Sequence, residues 1–436
     1  MSSDTTGGFI YELYSYHPRI AVLFHLVTGR WNHLSHIKAV VNDLFDDRQS
    51  IFDNQIHING AIQWIFNAQD SLKTGGIPAD YCFTWGWSNP YPETSGYIIY
   101  SLINYLNVFP ESEMNDEIIQ RSIWIGDWLL SIQNDNGSYY EGLHAEKKNL
   151  LHKNMIIQRE SAFETAQIIA GLLSLYKKTH DNKYLDASIK SGDWLIKTQE
   201  TEGYWNLSHQ NKPRSYDVYI GWRLLELYQI VPNPDYLYSA IKVFDWASEL
   251  QKENGFFLEC SHLINRDPWT HGIGYTVEAY IEAYVILKRL NIESNYLSIA
   301  QRTADTLLKL YHIRGFKSIY YQDKGFIPAS FNENWESKVK FMHLSGCAQI
   351  ALCWLKLFEI TRDYRYLNAG IKLNKDIKSI QNLHSNNKGI RGGIKGSHPI
   401  WGFSSPFRFT NHSVKFFIDS LLEESLIMKK ERGELL

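Results

Sequence analysis

Residues 127–137 read DWLLSIQNDNG, residues 193–203 DWLIKTQETEG and residues 245–255 DWASELQKENG. In each, Trp stands five residues before Gln and Gly four residues after it. Apolar residues recur at helical spacing up to the Gln, and the Gly supplies a stop, so each stretch is the end of an amphipathic helix and the turn that follows. Trp64 and Gln69 carry the same offset earlier in the chain. A Tyr-Leu pair opens the same helices nine residues before the Asp, at Tyr184, Tyr236 and Tyr296, and before Lys375 at Tyr366. Equivalent positions recur at roughly 50–70 residues, which is the length of two helices and two loops.

The intervening segments supply the second helix of each unit. ETSGYIIYSLINY (93–105) and ETAQIIAGLLSLY (164–176) align without a gap. SYDVYIGWRLLELY (215–228), YTVEAYIEAYVILK (275–288), GCAQIALCWLKLF (346–358) and NHSVKFFIDSLL (411–422) take the same place later. One helix of each pair is amphipathic and its partner almost wholly apolar, which asks for an outer ring around an inner ring. The expected fold is all-α: an (α/α)6 toroid of six helical hairpins in a single domain over residues 51–436, with residues 1–50 as extra N-terminal helices packed on the barrel. An open solenoid is the competing arrangement, but solenoids keep a stricter repeat length and atypical end repeats.

Composition narrows the function classes. Of 436 residues 44% are apolar, enough for a large core, and 14 Trp, 27 Tyr and 21 Phe make aromatics unusually frequent. With 44 basic and 47 acidic residues the net charge is −3 and no polybasic block occurs, so nucleic acid is not an expected partner. Cys82, Cys260, Cys347 and Cys353 show no CxxC spacing, and Cys347 and Cys353 fall in an apolar helix as small core residues. The longest apolar run near the N-terminus, IAVLF (20–24), is too short for a signal peptide or a membrane span. A cytoplasmic protein without an integral membrane segment is expected.

In a closed toroid the loops that enter the inner helices gather at one mouth. Here these loops are long and aromatic, whereas the opposite connections, such as YKKTHDNKYL and FEITRDYRYL, are short and polar. Long loops without secondary structure of their own usually serve function, so the mouth is the expected active face. Glu93 and Glu164 share one register at inner-helix starts, Asp217 falls one residue later, and His271 precedes the fourth inner helix. These four are the candidate catalytic groups, since facing carboxylates do acid/base work when their surroundings separate their pKa values. A Glu in the first helical turn is also what the helix dipole favours, so register alone leaves both roles open. Candidate substrate-binding residues are Trp85, Trp87, Tyr91, Arg159, Tyr216, Arg223, Trp269, Tyr275, Trp335, His343, Arg391 and Trp401. Loop aromatics suit the apolar C–H faces of sugar rings. No spacing calls for a metal or another cofactor. GIRGGIKGSHPIWG (389–402) lacks the spacing of a phosphate loop and suits a tight turn over the mouth or close backbone approach to a ligand. DLFDD (43–47) has no second acidic partner motif and suits a solvated helix face.

The Qx3G punctuation after a Trp-bearing helix resembles the repeats of squalene cyclases and protein prenyltransferases, but no DxDD acid motif or Asp/Cys/His zinc set accompanies it. GGIPADY…GWSNPYPETSGY, FETAQ, THGIGYT, GCAQIALCWLKLFEIT and GGIKGSHPIWG followed by KFFIDSLL are similar to the toroid proteins of bacterial exopolysaccharide, capsule and lipopolysaccharide clusters, including VpsJ-like biosynthesis proteins. The third inner helix departs from that pattern, with Asp217-Val218 in place of Asn-Thr. The resemblance implies a cytoplasmic role in making surface glycans, alongside other proteins of that machinery, and transfers no catalytic residue. The residues lead to a carbohydrate-active enzyme with an oligosaccharide or polysaccharide substrate. They leave glycoside hydrolysis and uronate C5 epimerisation or elimination both open, with a non-catalytic glycan-binding or assembly protein as the alternative.

Overall fold

A computed structural model describes residues 33–144, 159–207, 211–313 and 327–434 of the chain. After helix α1 (Leu34–Leu44), the outer helices are α2 (Asn54–Leu72), α4 (Asn115–Ile132), α6 (Asn182–Thr198), α8 (Pro234–Ser248), α10 (Tyr296–Ile313) and α12 (Tyr364–Lys378). The inner helices are α3 (Pro92–Val108), α5 (Ala162–Thr179), α7 (Val218–Tyr228, entered through a 3-10 turn at Ser215–Asp217), α9 (Thr270–Arg289), α11 (Leu344–Thr361) and α13 (Asn411–Glu431). Each inner helix packs on the next, and α13 returns to pack on α3. The toroid is therefore closed. Each outer helix from α4 to α12 packs on the inner helix just before it, while α2 packs on α13, so the sixth hairpin joins the two ends of the described chain.

The repeat residues that predict this ring also hold it. The Gln199 side-chain amide donates both to the carbonyl of Gly203 in its own turn (2.8 Å) and to that of Ser239 on the next outer helix (2.9 Å). Gln133 does the same toward Gly137 and Ala187, and Gln381 toward Gly392 and His57, the last contact closing the outer ring. The Tyr of each Tyr-Leu pair reaches back to the Asp of the preceding helix: Tyr184 to Asp127 (2.8 Å), Tyr236 to Asp193 (2.7 Å) and Tyr366 to Asp305 (2.5 Å). Glycine is required where the turn touches its neighbour. At Gly137 φ is +93°, and a Cβ would lie 2.2 Å from the Lys190 carbonyl oxygen. Replacing Gln199 by Ala leaves the carbonyl of its own turn and that of the next outer helix without this donor. The expected loss is about 1–3 kcal/mol, seen as a lower urea midpoint at unchanged m-value.

Trp128 and Trp194 are buried as packing residues, and all four cysteines are buried and unpaired in disulfides. Leu344–Thr361 is long and apolar enough to cross a membrane, but 78% of that window is buried, as its place in the inner ring requires. Short strands stitch the mouth loops together. β1 (Asp80–Cys82) pairs antiparallel with β2 (Gly86–Trp87) and with β5 (Arg408–Thr410), placing Tyr81 opposite both Trp87 and Phe409. β3 (Met342–His343) pairs with β4 (Ser397–His398).

One sequence expectation is overturned. Asp43 of DLFDD does not face solvent; it is 4% exposed and ion-paired to Lys395 at 2.5 Å. Its other oxygen accepts the Ile400 N–H at 2.7 Å. Burial pushes its carboxyl up, but Lys395 and His398 together pull it well below the usual carboxylate range. GIRGGIKG supplies the Lys, so this glycine-rich stretch ties α1 to the barrel. Its Gly392 packs on Gly60 of α2, where a Cβ would lie 1.9 Å from the Gly60 oxygen.

Candidate active site

Glu93 lies in the first turn of α3 behind Pro92, and Glu164 in the first turn of α5, whose N-cap Ser161 accepts the Glu164 N–H. A capping role would keep these carboxylates on their own helix ends. Glu164 instead reaches away: the Tyr91 hydroxyl donates to Oε1 at 2.8 Å and the Gly142 N–H to Oε2 at 3.1 Å. Both acids are buried, at 8% and 7% exposure. Burial lifts the Glu93 carboxyl to about 7, against the opposing pull of Tyr91, Arg214 and Lys415. Burial lifts Glu164 further, helped by the charge of Glu93 and then Glu141, against its hydrogen bonds to Tyr91 and Gly142. The pair is thus sorted by its surroundings. Glu93 sits beside the cations and ionises first; Glu164 sits beside other acids and keeps its proton.

Asp217 is buried beneath Arg214, whose Nη2 donates to it at 2.9 Å and Nε at 3.3 Å. Burial raises this carboxyl and Arg214 opposes the rise. Asp217 therefore anchors a guanidinium, which also lies 4.7 Å from the Tyr216 ring and 5.4 Å from Phe163. Across the mouth three imidazoles gather. His271 stands 5.5 Å from His343 and 5.7 Å from His412, and His343 stands 6.0 Å from His412. Burial and mutual repulsion hold His271 well below its ordinary value; His343 falls to about 3 and His412, through burial, to about 4. These rings are neutral at neutral pH. The Nδ1 of His271 meets Gln349 Oε1 at 2.5 Å, so as placed it donates there and Nε2 keeps the lone pair. Beneath lies an aromatic floor in which Tyr275 contacts Tyr219 (4.8 Å), Phe163 (5.1 Å) and Phe416 (5.5 Å).

The structure thus brings together Glu93, Glu164, Tyr91, Asp217, Tyr216, His271, Tyr275 and His343. Trp269 packs beside this group against His343 and Phe403. Other predicted binding residues lie elsewhere. Trp87 packs on Trp64 and Tyr81, and Trp335 and Trp401 are buried in the core. Trp85 is 47% exposed at the β1–β2 turn, with the Arg408 guanidinium 4.7 Å above its ring. Arg159 is paired with Glu141 at 3.0 Å. Arg223 is fully buried deep in the barrel, bound to Glu226 and Tyr219, and Arg391 sits in the turn packed on α2. The cations that act on Glu93 are Arg214 and Lys415 instead. His412 and Glu141 also escaped the sequence reading. Lys415 left a signal, as the one lysine inside the apolar stretch NHSVKFFIDSLL.

Residues 145–334 match the sequence profile of Glycosyl Hydrolase Family 88, which is under half of the chain. Among curated proteins none matches. Several solved structures share the fold. An unsaturated glucuronyl hydrolase specific for heparin superposes with a TM-score of 0.63 at 14% identity, covering 86% of this chain and 97% of its own. The unsaturated glucuronyl hydrolase of Bacillus sp. GL1, responsible for the degradation of glycosaminoglycan, gives 0.63 at 12% identity over 87% and 97%. A glycosyl hydrolase family 88 protein from Bacteroides vulgatus gives 0.57 at 13% identity over 86% and 99%. At these identities the likeness is one of fold.

Proposed function

We propose that the chain is a carbohydrate-active hydrolase that works on a glucuronyl-bearing oligosaccharide through Glu164 as acid and Glu93 as base. The observation that carries this reading is the pair of buried first-turn carboxyls, bridged through Tyr91 and pushed apart in acidity. The family 88 match across the second to fourth hairpins supports hydrolysis over epimerisation or elimination. In the proposed reaction Glu164 gives its proton to the substrate as the sugar–oxygen bond breaks. Glu93 takes a proton from the water that adds, so the products together contain one water more than the substrate. Afterwards Glu164 is ionised and Glu93 protonated, and exchange with solvent restores both. Arg214 offers positive charge to a uronate carboxylate, while the neutral His271 offers an acceptor at Nε2 and His343, whose Nδ1 accepts the Gly346 N–H, offers a donor to sugar hydroxyls.

Mass spectrometry of oligosaccharides ending in an unsaturated glucuronyl residue, incubated with the protein, tests the proposal. Products summing to the substrate plus one water are expected; products summing to the substrate mass with no water added would instead mark elimination. Binding without any product would favour a glycan-binding protein. The pH profile adds a second test. The base must be ionised, so kcat/KM of the free enzyme rises with pH and reaches half its plateau at about 7, the Glu93 value. The falling limb lies higher, where Glu164 loses its proton. We further propose that the enzyme acts in the cytoplasm on surface polysaccharide or its precursor. The motif resemblance supports this setting, and fractionation of cells expressing the tagged chain tests it.

A further inference from the structure

At the far end of the barrel axis the inner helices line a half-open pocket of about 220 Å³. Asn104 on its wall is eleven residues along α3 from Glu93, about 16 Å at the helical rise. Tyr97, Tyr219, Tyr275 and Phe416 lie one to two turns in from the mouth, and Tyr97–Phe416 (5.8 Å), Tyr275–Phe416 and Tyr219–Tyr275 contacts form an aromatic layer between the two sites. The lower cavity is lined by Glu278, Asp419, Glu423 and Lys356. Val108, Leu352, Leu422 and Leu426 make its apolar wall.

Its acids are short of donors. Oε2 of Glu278 and Oδ1 of Asp419 are buried without a hydrogen-bond partner, in residues only 2% and 8% exposed. The cations whose charge acts on Glu278 are already engaged: Lys415 with Asp419 Oδ2 (2.8 Å), Lys356 with Glu282 (2.5 Å) and Arg223 with Glu226 (2.7 Å). Glu278, Glu282, Asp419 and Glu423 face Lys356 and Lys415, two more acids than cations, and burial raises the carboxyls of Glu278 and Glu423, so a cation that binds here also draws them toward the charged form. A buried carboxylate oxygen without a donor is costly, so this wall calls for an incoming cation that donates hydrogen bonds. Among the described residues no group of three His, Cys, Asp or Glu side chains is arranged to hold a metal ion, and the excess of acids repels an anion. At ~30 Å³ per water the volume equals about seven waters, which suits a short linear molecule.

We infer that this cavity is a binding site for a small alkyl diammonium ion, whose nitrogens meet Glu278, Asp419 and Glu423 while its methylenes lie along the leucines. The site is separate from the proposed hydrolytic pair and does not depend on that reading.

Calorimetric titration of the intact protein with 1,4-diaminobutane tests the inference, with 1,4-butanediol as the uncharged isostere and magnesium chloride as the inorganic cation. Saturable one-to-one binding of the diamine is expected, with none of the diol. Glu278→Gln should weaken the diamine at least about tenfold, or about 1.4 kcal/mol. Glu164→Gln, at the mouth, should leave it unchanged. Should Glu278→Gln not fold, Leu426→Trp fills the cavity from its apolar wall and should abolish binding. Absence of saturable diamine binding, equal binding of the diol, binding of magnesium in place of the diamine, or full affinity in Leu426→Trp or a folded Glu278→Gln would each overturn the assignment.

Discussion

Glu164→Gln is expected to lower turnover on a cleavable glucuronyl oligosaccharide by about 10³-fold, because it keeps the shape of the acid but removes its transferable proton. Glu93→Gln should cost a similar factor, through loss of the base. The two changes act on one proton circuit, so the double variant should be little worse than either alone. The stability of these variants distinguishes catalysis from a structural role. Glu164 has a folded-state value raised above its ordinary 4.5, so the folded state retains a proton that the unfolded state releases. That favourable contribution is fully present below about 4.5 and is lost as pH rises through the folded value. Glu164→Gln removes the penalty, so its melting temperature should match or exceed that of the native protein at pH 8 and differ little at pH 5. An inactive variant with undiminished stability at pH 8 supports a functional site held at a cost to the fold. Full turnover in both single variants would remove the acid/base assignment.

Asp43→Ala is expected to destabilise the protein by about 3–5 kcal/mol, the usual consequence of stranding a buried charge. Lys395 would remain 5% exposed without its carboxylate, and the Ile400 N–H would lose its acceptor. Burial already lowers the Lys395 ammonium below its ordinary value even with Asp43 present, so the lysine cannot bear further loss. Replacing both members, as in Asp43→Ala with Lys395→Met, removes the stranded charge and should recover most of the deficit. Urea unfolding at pH 7 reads both effects. Asp43 has a depressed value, so its stabilising part is present above the ordinary range and disappears as pH falls through the folded value. The single variant should therefore lose its disadvantage in strong acid.

Much of the architecture was legible because the repeat residues are themselves the contacts. Gln133, Gln199, Gln251 and Gln381 bridge successive outer helices, and Tyr184, Tyr236, Tyr296 and Tyr366 reach back to the helix before. A bond repeated at one offset writes itself into the chain as a period. Glu93 and Glu164 were legible for the same reason, as equivalent residues of two repeats. Asp43 was not, since its partner Lys395 lies 352 residues away and obeys no repeat.

The sequence by itself determined the two-ring helical repeat, the mouth and the register of the two carboxylates, because local periodicity and turn chemistry act over a few residues. Only the tertiary structure decided closure through α2 and α13, the duty of Asp217 as the anchor of Arg214, and the unequal acidity of Glu93 and Glu164. Each of those depends on burial and on charges brought together from different helices, and the energy of a charge is a property of its whole surroundings rather than of its place in the chain.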